Sequence, residues 1–408
     1  HFIGIGGGGM SGIAEVLLEL GFRVSGSDLK ESEVTRELEA RGARIAFGHA
    51  ARHIKEADVV VYSSAVKQDN PEIVAAKDQG IPVIRRAEML GELMRLKSGI
   101  AIAGSHGKTT ATSLVATVLR DAGLDPTVII GGRLNALGSN AASGKGELLV
   151  AEADESDGSF LRLHPSISVL TNIDPEHLDH YGSLEAVKEA FITFANQVPF
   201  YGLVVACVDH PNIQDILPRI DRRVMTYGFA AHADYRARDL RPEGLSVSFE
   251  LSVRGDSRGR VKVRMPGDHN VLNALAAIAV ADELGVSHEV IAESLAEFEG
   301  VQRRFTVVGE VGGVTIVDDY AHHPTEIEVT LAAAQAAFKG RIVVAFQPHR
   351  YTRTRDCFDD LVRAFNRADL VLITDVFAAG EEPIEGFDAE RLVESMRAHG
   401  HRDVTYIP

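Results

Sequence analysis

Ile100-Ala101-Ile102-Ala103-Gly104-Ser105-His106-Gly107-Lys108-Thr109-Thr110 is the stretch on which the reading of this chain turns. The four residues before Gly104 are a short apolar run, the pattern of a buried strand, and Ala111–Leu119 reads as a helix. A strand, a glycine turn and Lys-Thr opening a helix make a phosphate cradle. Unpaired amides at the helix start and the helix dipole favour an anion there. Lys108 adds a cation for β- and γ-phosphates, and the Thr109 hydroxyl is placed to hold Mg²⁺. The match to G-x-x-x-x-G-K-[ST] is imperfect: Ile102 stands where the first glycine belongs, and Gly104 supplies the turn. A Gly-Lys-Thr at a helix start also occurs without a ligand, so its neighbours must decide.

On the amino-terminal side, Phe2–Ile5, Arg23–Ser27, Val59–Tyr62 and Ile81–Ile84 read as strands, with helices at Ser11–Leu20 and Glu33–Arg41. Such alternation implies a parallel sheet. Leu96-Lys97-Ser98-Gly99 reads as a linker, giving a first domain over residues 1–97. A second domain, 98–300, opens with the phosphate loop. It continues through strands at Leu148–Ala151, Ile167–Leu170 and Leu203–Val208, an antiparallel pair around Arg254-Gly255-Asp256, and an apolar helix at Val271–Leu284. A third, 301–408, resumes the alternation, with strands at Val314–Val317, Arg341–Phe346 and Leu370–Thr374 and helices at Glu326–Phe338 and Asp356–Phe365. The fold class expected is α/β in three domains: Rossmann-like, a central P-loop ATPase with a mixed sheet, and Rossmann-like again. The chain opens on His1 inside a strand and stops on the strand-like Val404–Pro408, so both ends read as trimmed.

Composition bounds the partners. The 408 residues are 45% hydrophobic and 25% charged, values of a soluble globular protein. A formal net charge of −16 argues against a nucleic-acid or membrane-surface partner. Cys207 and Cys357 have no metal or redox spacing, which fits a reducing cytoplasm. No apolar run approaches the roughly 20 residues of a membrane span, and no signal peptide is expected.

Five further stretches carry chemistry. Gly4-Ile5-Gly6-Gly7-Gly8-Gly9-Met10-Ser11-Gly12 joins the first strand to the first helix, and Asp28 ends the second strand. That geometry suits a pyrophosphate and a ribose hydroxyl, whether of NAD or another nucleotide diphosphate, or a packing turn without ligand. Glu152-Ala153-Asp154-Glu155-Ser156-Asp157 places four acids in six residues after a buried strand, more than a solvated loop needs, and suits Mg²⁺ beside phosphates. Thr171–His180 puts His177 in a polar loop after the next strand, either as a ligand or as an exposed side chain. Asp318–Pro324 and Gln347–Arg353 lie at carboxyl ends of strands expected to be parallel. Arg350 and Arg353 share a face if the segment turns helically, a pair suited to a carboxylate.

With His269-Asn270-Val271-Leu272-Asn273 these stretches occur in an order that resembles the Mur ligases of peptidoglycan synthesis, over nearly the whole chain. The resemblance implies one domain each for a UDP-sugar, ATP and an incoming amino acid, with UDP-N-acetylmuramate and L-alanine as substrates and ATP and Mg²⁺ as cofactors. It places Gly7, Gly9, Met10, Ser11, Asp28 and Ser63 on the UDP-sugar and His106 near its carboxylate. Gly104, Gly107, Lys108, Thr109 and Thr110 would hold the ATP phosphates, Asn270 and Asn273 the adenine, and Asp318 the ribose. Thr109 would bind one Mg²⁺ and Glu152 and His177 a second, and Arg304 would reach the γ-phosphate. His322, Arg350 and Arg353 would hold alanine, with His322 a candidate base. Two departures stand against the resemblance: Glu176 stands before His177 where Asp is expected in many relatives, and the C-terminus lacks family sequence, which implies an incomplete third domain. The implied chemistry is an acyl phosphate captured by an amine. Three rivals remain at this level. A folylpolyglutamate synthetase-like ligase shares the ATPase core without needing the first domain. A nicotinamide dehydrogenase leaves the Lys108 loop unexplained. A P-loop regulatory binder leaves Arg350, Arg353 and His322 without purpose. The oligomeric state is not encoded in any motif.

Overall fold

The computed structural model describes residues 1–63, 65–134 and 139–408. β1 (Phe2–Ile3), β2 (Ser25–Asp28), β3 (Arg44–Phe47), β4 (Val60–Tyr62) and β5 (Val83–Arg85) alternate with α1 (Gly8–Glu19), α2 (Glu33–Ala40), α3 (Pro71–Asp78) and α4 (Arg86–Leu96). The strands form a parallel sheet ordered β3-β2-β1-β4-β5. The order reverses beside β1, so the glycine loop that follows β1 opens at the switch point where such sheets take ligands.

The second sheet contains β6 (Ser98–Ala103), β7 (Thr127–Leu134), β8 (Ser139–Ala142), β9 (Leu148–Glu152), β10 (Ile167–Leu170), β11 (Leu203–Cys207), β12 (Val224–Gly228), β13 (Tyr235–Glu243), β14 (Ser246–Val253) and β15 (Asp256–Val263). Its order is β15-β14-β13-β12-β11-β10-β6-β9-β7-β8, mixed because β8 runs antiparallel to β7. β6 lies between β9 and β10 and is parallel to both, with Ile100 opposite Val150 and Ile167. Covered on both edges and both faces, it reads as a continuous apolar run rather than an alternating one. The helices of this region are α5 (Lys108–Asp121), α6 (Leu178–Tyr181), α7 (Leu184–Asn196), α8 (Pro211–Ile216), α9 (Asp268–Glu283) and α10 (His288–Glu297).

The remaining strands are β16 (Thr306–Val311), β17 (Val314–Asp318), β18 (Val343–Phe346), β19 (Leu370–Ile373) and β20 (Val404–Tyr406), with α11 (Pro324–Ala337), α12 (Tyr351–Asp356), α13 (Phe358–Ala364) and α14 (Ala389–Ala398). β18, β19 and β20 form a parallel sheet, and β16 and β17 an antiparallel pair. The fold class is the α/β arrangement expected, Rossmann-like toward both ends of the chain and mixed in its middle.

By packing, the chain divides into two compact units. His1–Arg238, Glu250–Val261 and Leu272–Gln302 form the first; Asp239–Phe249, Lys262–Val271 and Arg303–Pro408 form the second. The larger of two apolar cores described in the first unit runs from Ile5 and Ile13 through Leu90, Leu93 and Met94 to Phe160, Phe191 and Phe194, and the smaller gathers Ile3, Ile54, Val60 and Ile73. Phe160 meets Phe191 and Phe194 at centroid distances of 5.3 and 4.9 Å, and burying each such ring stabilises by about 2–3 kcal/mol. In the second unit Leu331, Phe346, Phe365, Val371, Ile373, Leu392 and Met396 pack the sheet against α11, α13 and α14.

Two expectations are corrected here. The stretch 96–99 is not a linker: α4 ends at Leu96 and β6 starts at Ser98, whose N–H donates to Glu147 O at 2.7 Å. Lys97 is held as well, its Nζ donating to Gly144 O and Gly146 O at 2.6 and 2.7 Å. The strand before Asp318 is not part of a parallel sheet: β17 pairs antiparallel with β16 through Gly312-Gly313, both at positive φ, the requirement of a tight hairpin turn.

Candidate active site

The phosphate loop leaves β6 at Ala103. Gly104 has φ 148, and a methyl group built on it would stand 1.9 Å from Thr171 Oγ1, so no side chain is tolerated. Gly107, at φ 81, is the N-cap of α5, and no side chain caps that helix. The first-turn amides are therefore left to the loop and to an anion. A methyl group on Gly107 would stand 2.7 Å from Asn273 Oδ1, which brings this α9 residue to the cradle. Thr109 is half-buried and Thr110 buried in the first turn.

Lys108 curls back into the loop it follows. Its Nζ donates to Gly104 O at 2.5 Å and Ser105 O at 3.2 Å, and meets Glu155 at 2.9 and 2.8 Å. Burial works against the ammonium, but the Glu155 charge outweighs it and holds the Lys108 pKa above its usual range. Burial pushes the Glu155 carboxyl up, with Lys108 pulling the other way. Tyr181 Oη donates to Glu155 O at 2.5 Å and fixes the backbone from the far side.

Glu155, Glu176 and His177 bring one ligand atom each within 4.8 Å of one another. His177 sits at φ 55, and its Nε2 is 3.8 Å from Glu155 Oε1. Glu152 ends β9 opposite Ile102 and is not one of these three. Two carboxylates with an imidazole fit a hard divalent cation that keeps several waters, and Gly104 and Gly107 leave a cradle that any Cβ would fill. The residues present therefore fit both Mg²⁺ and a nucleotide phosphate. The acid run flagged this region in sequence. Which of its acids face His177 depends on the turn after β9, which has no periodicity to read.

His106 donates its backbone N–H to Asn172 Oδ1 at 2.7 Å, and its Nε2 lies 3.0 Å from Asp174 Oδ2. Asp174 is shared with His210 at 3.3 Å. Burial raises its carboxyl, but the two imidazoles prevail and hold it well below the ordinary carboxylate range. Asp174 had no marker in sequence beyond lying in the loop.

In the glycine loop, Gly7 is the N-cap of α1, again without a side-chain cap, ahead of Gly9, Met10 and Ser11. Asp28 accepts the Gly6 N–H at 2.9 Å and the Leu29 N–H at 2.7 Å, so this carboxylate braces the loop itself. Ser63 follows β4, half-buried, on the same edge of the sheet.

The second unit has its own cluster. Asn270 is buried, with Nδ2 donating to Pro266 O at 2.8 Å. Asp318 ends β17, 3.6 Å from Arg303 Nε. Arg304 lies over the Tyr320 ring at 5.8 Å and 3.7 Å from Glu326. Burial, with Arg304 nearby, pushes His269 down to about 4. His322 Nδ1 contacts Tyr320 O at 2.9 Å, and its ring lies 6.0 Å from that of His349. Arg350 is the N-cap of α12 at φ 69, a conformation rare for a side chain of its size, and Arg353 follows within the helix. The strained loop is braced from the segment after β19. Phe377 exchanges backbone bonds with Pro348 and Arg350, and Glu381 accepts both the N–H and the hydroxyl of Thr352, at 2.9 and 2.7 Å. Phe377 and Glu381 escaped the sequence reading because loop-to-loop bracing leaves no local pattern.

Three family models match the chain: "Mur ligase family, catalytic domain" over residues 1–98, "Mur ligase middle domain" over 102–281, and "Mur ligase, glutamate ligase domain" over 303–408. The UDP-N-acetylmuramate–L-alanine ligase of Sorangium cellulosum is 63% identical over 410 residues, covering 100% of this chain and 87% of its own length. That of Myxococcus xanthus is 60% identical over 407 residues, covering 100% and 86%. A solved structure of the UDP-N-acetylmuramate–alanine ligase of Thermotoga maritima superposes with a TM-score of 0.83 at 32% identity, covering 100% of this chain and 90% of that one. Among the described residues no helix is long and apolar enough to cross a membrane.

Proposed function

The chain belongs to the Mur ligase family, and from that premise we propose that it joins L-alanine to the carboxylate of UDP-N-acetylmuramate, using ATP, in the cytoplasmic stage of peptidoglycan synthesis. It is an ATP-dependent amide-forming ligase. Residues 1–97 would take the UDP-sugar, 98–300 ATP, and 301–408 the amino acid.

A carboxylate is no electrophile toward an amine in water. Transfer of the γ-phosphoryl group to the muramate carboxylate gives an acyl phosphate and ADP, and the amine of alanine then displaces phosphate. The chain's part is positioning and charge neutralisation. The observation that carries this reading is Lys108, held charged inside the phosphate loop at 2.8 Å from Glu155, beside an acid–imidazole cluster on the same sheet edge. Glu155, Glu176 and His177, with Glu152 just before Glu155 in sequence and Thr109 beside Lys108, would hold Mg²⁺, which neutralises phosphate charge when bound. Arg350 and Arg353 would fix the alanine carboxylate. With His322 Nδ1 directed at Tyr320 O, the basic nitrogen is Nε2, which could accept the amine's proton.

The test is phosphate release from UDP-N-acetylmuramate, ATP, Mg²⁺ and one amino acid at a time. Release that depends on alanine, with a hydroxamate formed when hydroxylamine replaces the amine, is expected. Release without any acid, or NADH oxidation without ATP, would overturn the reading.

A further inference from the structure

β6, β10 and β11 are adjacent parallel strands, with Leu170 opposite both Ala103 and Ala206, so the loops that follow them leave the sheet side by side. His106, Asp174 and His210 each lie in one of these loops, a few residues beyond that common level. The middle loop grips the phosphate loop at several points. The Asp174 N–H donates to Ser105 Oγ at 2.8 Å, Thr171 Oγ1 and Asn172 Nδ2 donate to His106 O at 2.7 and 3.1 Å, and Asp174 Oδ2 lies 3.0 Å from His106 Nε2. The outer loop in turn holds the middle one. His210 Nε2 lies 3.3 Å from Asp174 Oδ1, and Asn212 Nδ2 donates to Ile173 O at 2.7 Å. His210 is the N-cap of α8, yet its ring caps no amide of that helix. Among the described residues its Nδ1 is buried without a hydrogen-bond partner, so Asp174 is the polar group that the ring serves. The turn that carries it is pinned: Asp209 accepts the N–H groups of Phe229 and Ala230 at 2.6 and 2.9 Å, and Gln214 Nε2 donates to Val208 O at 2.6 Å.

We propose that His210 is a positioning residue for the phosphoryl-transfer step: from the loop after β11 it fixes the Asp174 carboxylate, and Asp174 fixes the ring of His106 on the phosphate loop. This rests on the proposed ligase reaction, with His106 near the muramate carboxylate. The two imidazoles lie on different oxygens of Asp174, so the carboxylate cannot turn about its terminal bond without losing one of them. Released from His210, it has further orientations open, and the His106 ring follows it. A displacement of about 1 Å at a positioning group can cost about 100-fold in rate. His210 therefore acts on the rate through two other side chains, and leaves the binding of ATP to the loop backbone and Lys108.

The test is steady-state phosphate release by the full chain with UDP-N-acetylmuramate, ATP, Mg²⁺ and alanine, run beside hydroxamate formation with hydroxylamine in place of alanine. His210→Ala should lower kcat about tenfold in both assays and move the KM values for ATP and the UDP-sugar by less than about twofold. His210→Gln, whose amide nitrogen reaches as far along the side chain as the imidazole Nε2, should restore most of the loss. His106→Ala should lower kcat at least as much, and adding His210→Ala to it should change little more, the signature of action through His106. Asn212→Ala frees the same loop at Ile173 and should lower the melting temperature with a smaller loss of kcat. A raised KM for ATP with unchanged kcat, no rescue by glutamine, or effects of the two histidine substitutions that add in free energy would mean that His210 only supports the fold. Slow phosphate release with normal hydroxamate formation would put the defect at the amine step and overturn the proposal. Wild type that forms no hydroxamate would overturn the ligase reading and this proposal together.

Discussion

Lys108 Nζ lies 2.8 Å from Glu155 Oε2, on a carboxylate whose side chain is only 2% exposed. The ammonium is thus held in a mostly buried place, countered by an acid and two loop carbonyls. Lys108→Ala removes the cation that would meet the transferring group and strands Glu155. Phosphate release should fall by about a thousandfold or more, on the scale of charged groups that stabilise a transition state. UDP-sugar binding, measured by calorimetry, should survive within a few-fold. Loss of a buried partner should also lower the melting temperature, because an uncompensated buried charge costs about 3–5 kcal/mol. Equal loss of turnover and of sugar binding would show that the two sites are not separate.

Gly104→Ala tests the cradle from the backbone side. At φ 148 an alanine is strained, and its Cβ would overlap Thr171 Oγ1 at 1.9 Å. Thr171 cannot yield cheaply, since its hydroxyl donates to His106 O at 2.7 Å. The substitution should abolish ATP-analogue binding and lower stability by about 2–4 kcal/mol. A variant that binds the analogue normally would mean that the loop adopts another conformation when it works.

The phosphate loop, the glycine loop and the alternation of strands were legible because each is local: a few residues fix the turn and the adjoining helix start. β10 falls at Ile167–Leu170, as its apolar run indicates. β3 was missed because Arg44-Ile45-Ala46-Phe47 is short and only partly buried at an edge. The expected helix at Asp356–Phe365 is divided at Cys357 into α12 and α13, since the preceding turn already starts helix at Tyr351. At the site, the acid run was visible, but the meetings of Asp174 with His106, of Glu176 and His177 with Glu155, and of Phe377 and Glu381 with the Arg350 loop each join separate stretches of the sequence. No spacing rule records such meetings.

Arg350 sits at φ 69 only because its neighbours hold it there. Its own N–H donates to Phe377 O at 2.8 Å, and Thr352 is tied to Glu381. Arg350→Ala should raise the KM for alanine about 10–100-fold, the range of a charge-assisted pair, with little effect on the KM for ATP. Glu381→Ala should do the same more weakly, by freeing the loop that aims the guanidinium. A larger effect on ATP than on alanine in either variant would remove the alanine assignment.

Glu72 gives the pH prediction. Its side chain is fully buried, accepting from Ser27 Oγ at 2.6 Å and the Ala50 N–H at 3.1 Å, with His53 Nδ1 at 2.8 Å and His1 Nε2 at 3.4 Å. Burial alone would raise its carboxyl, but the bonds from His1, Ser27, His53 and Ala50 prevail and lower it to about 2. The folded state therefore binds fewer protons here than the unfolded state, whose Glu titrates near 4.5. The stabilisation is full above about pH 4.5 and drains away as pH falls toward 2; its size is about 3 kcal/mol. Glu72→Gln keeps the shape but not the charge. At pH 7 it should melt several degrees below wild type, and the gap should narrow steadily between pH 5 and pH 3, because wild type is then losing what the variant never had. Melting curves of the two proteins across that range decide the matter: a gap that stays constant would mean that the four donors hold a neutral acid.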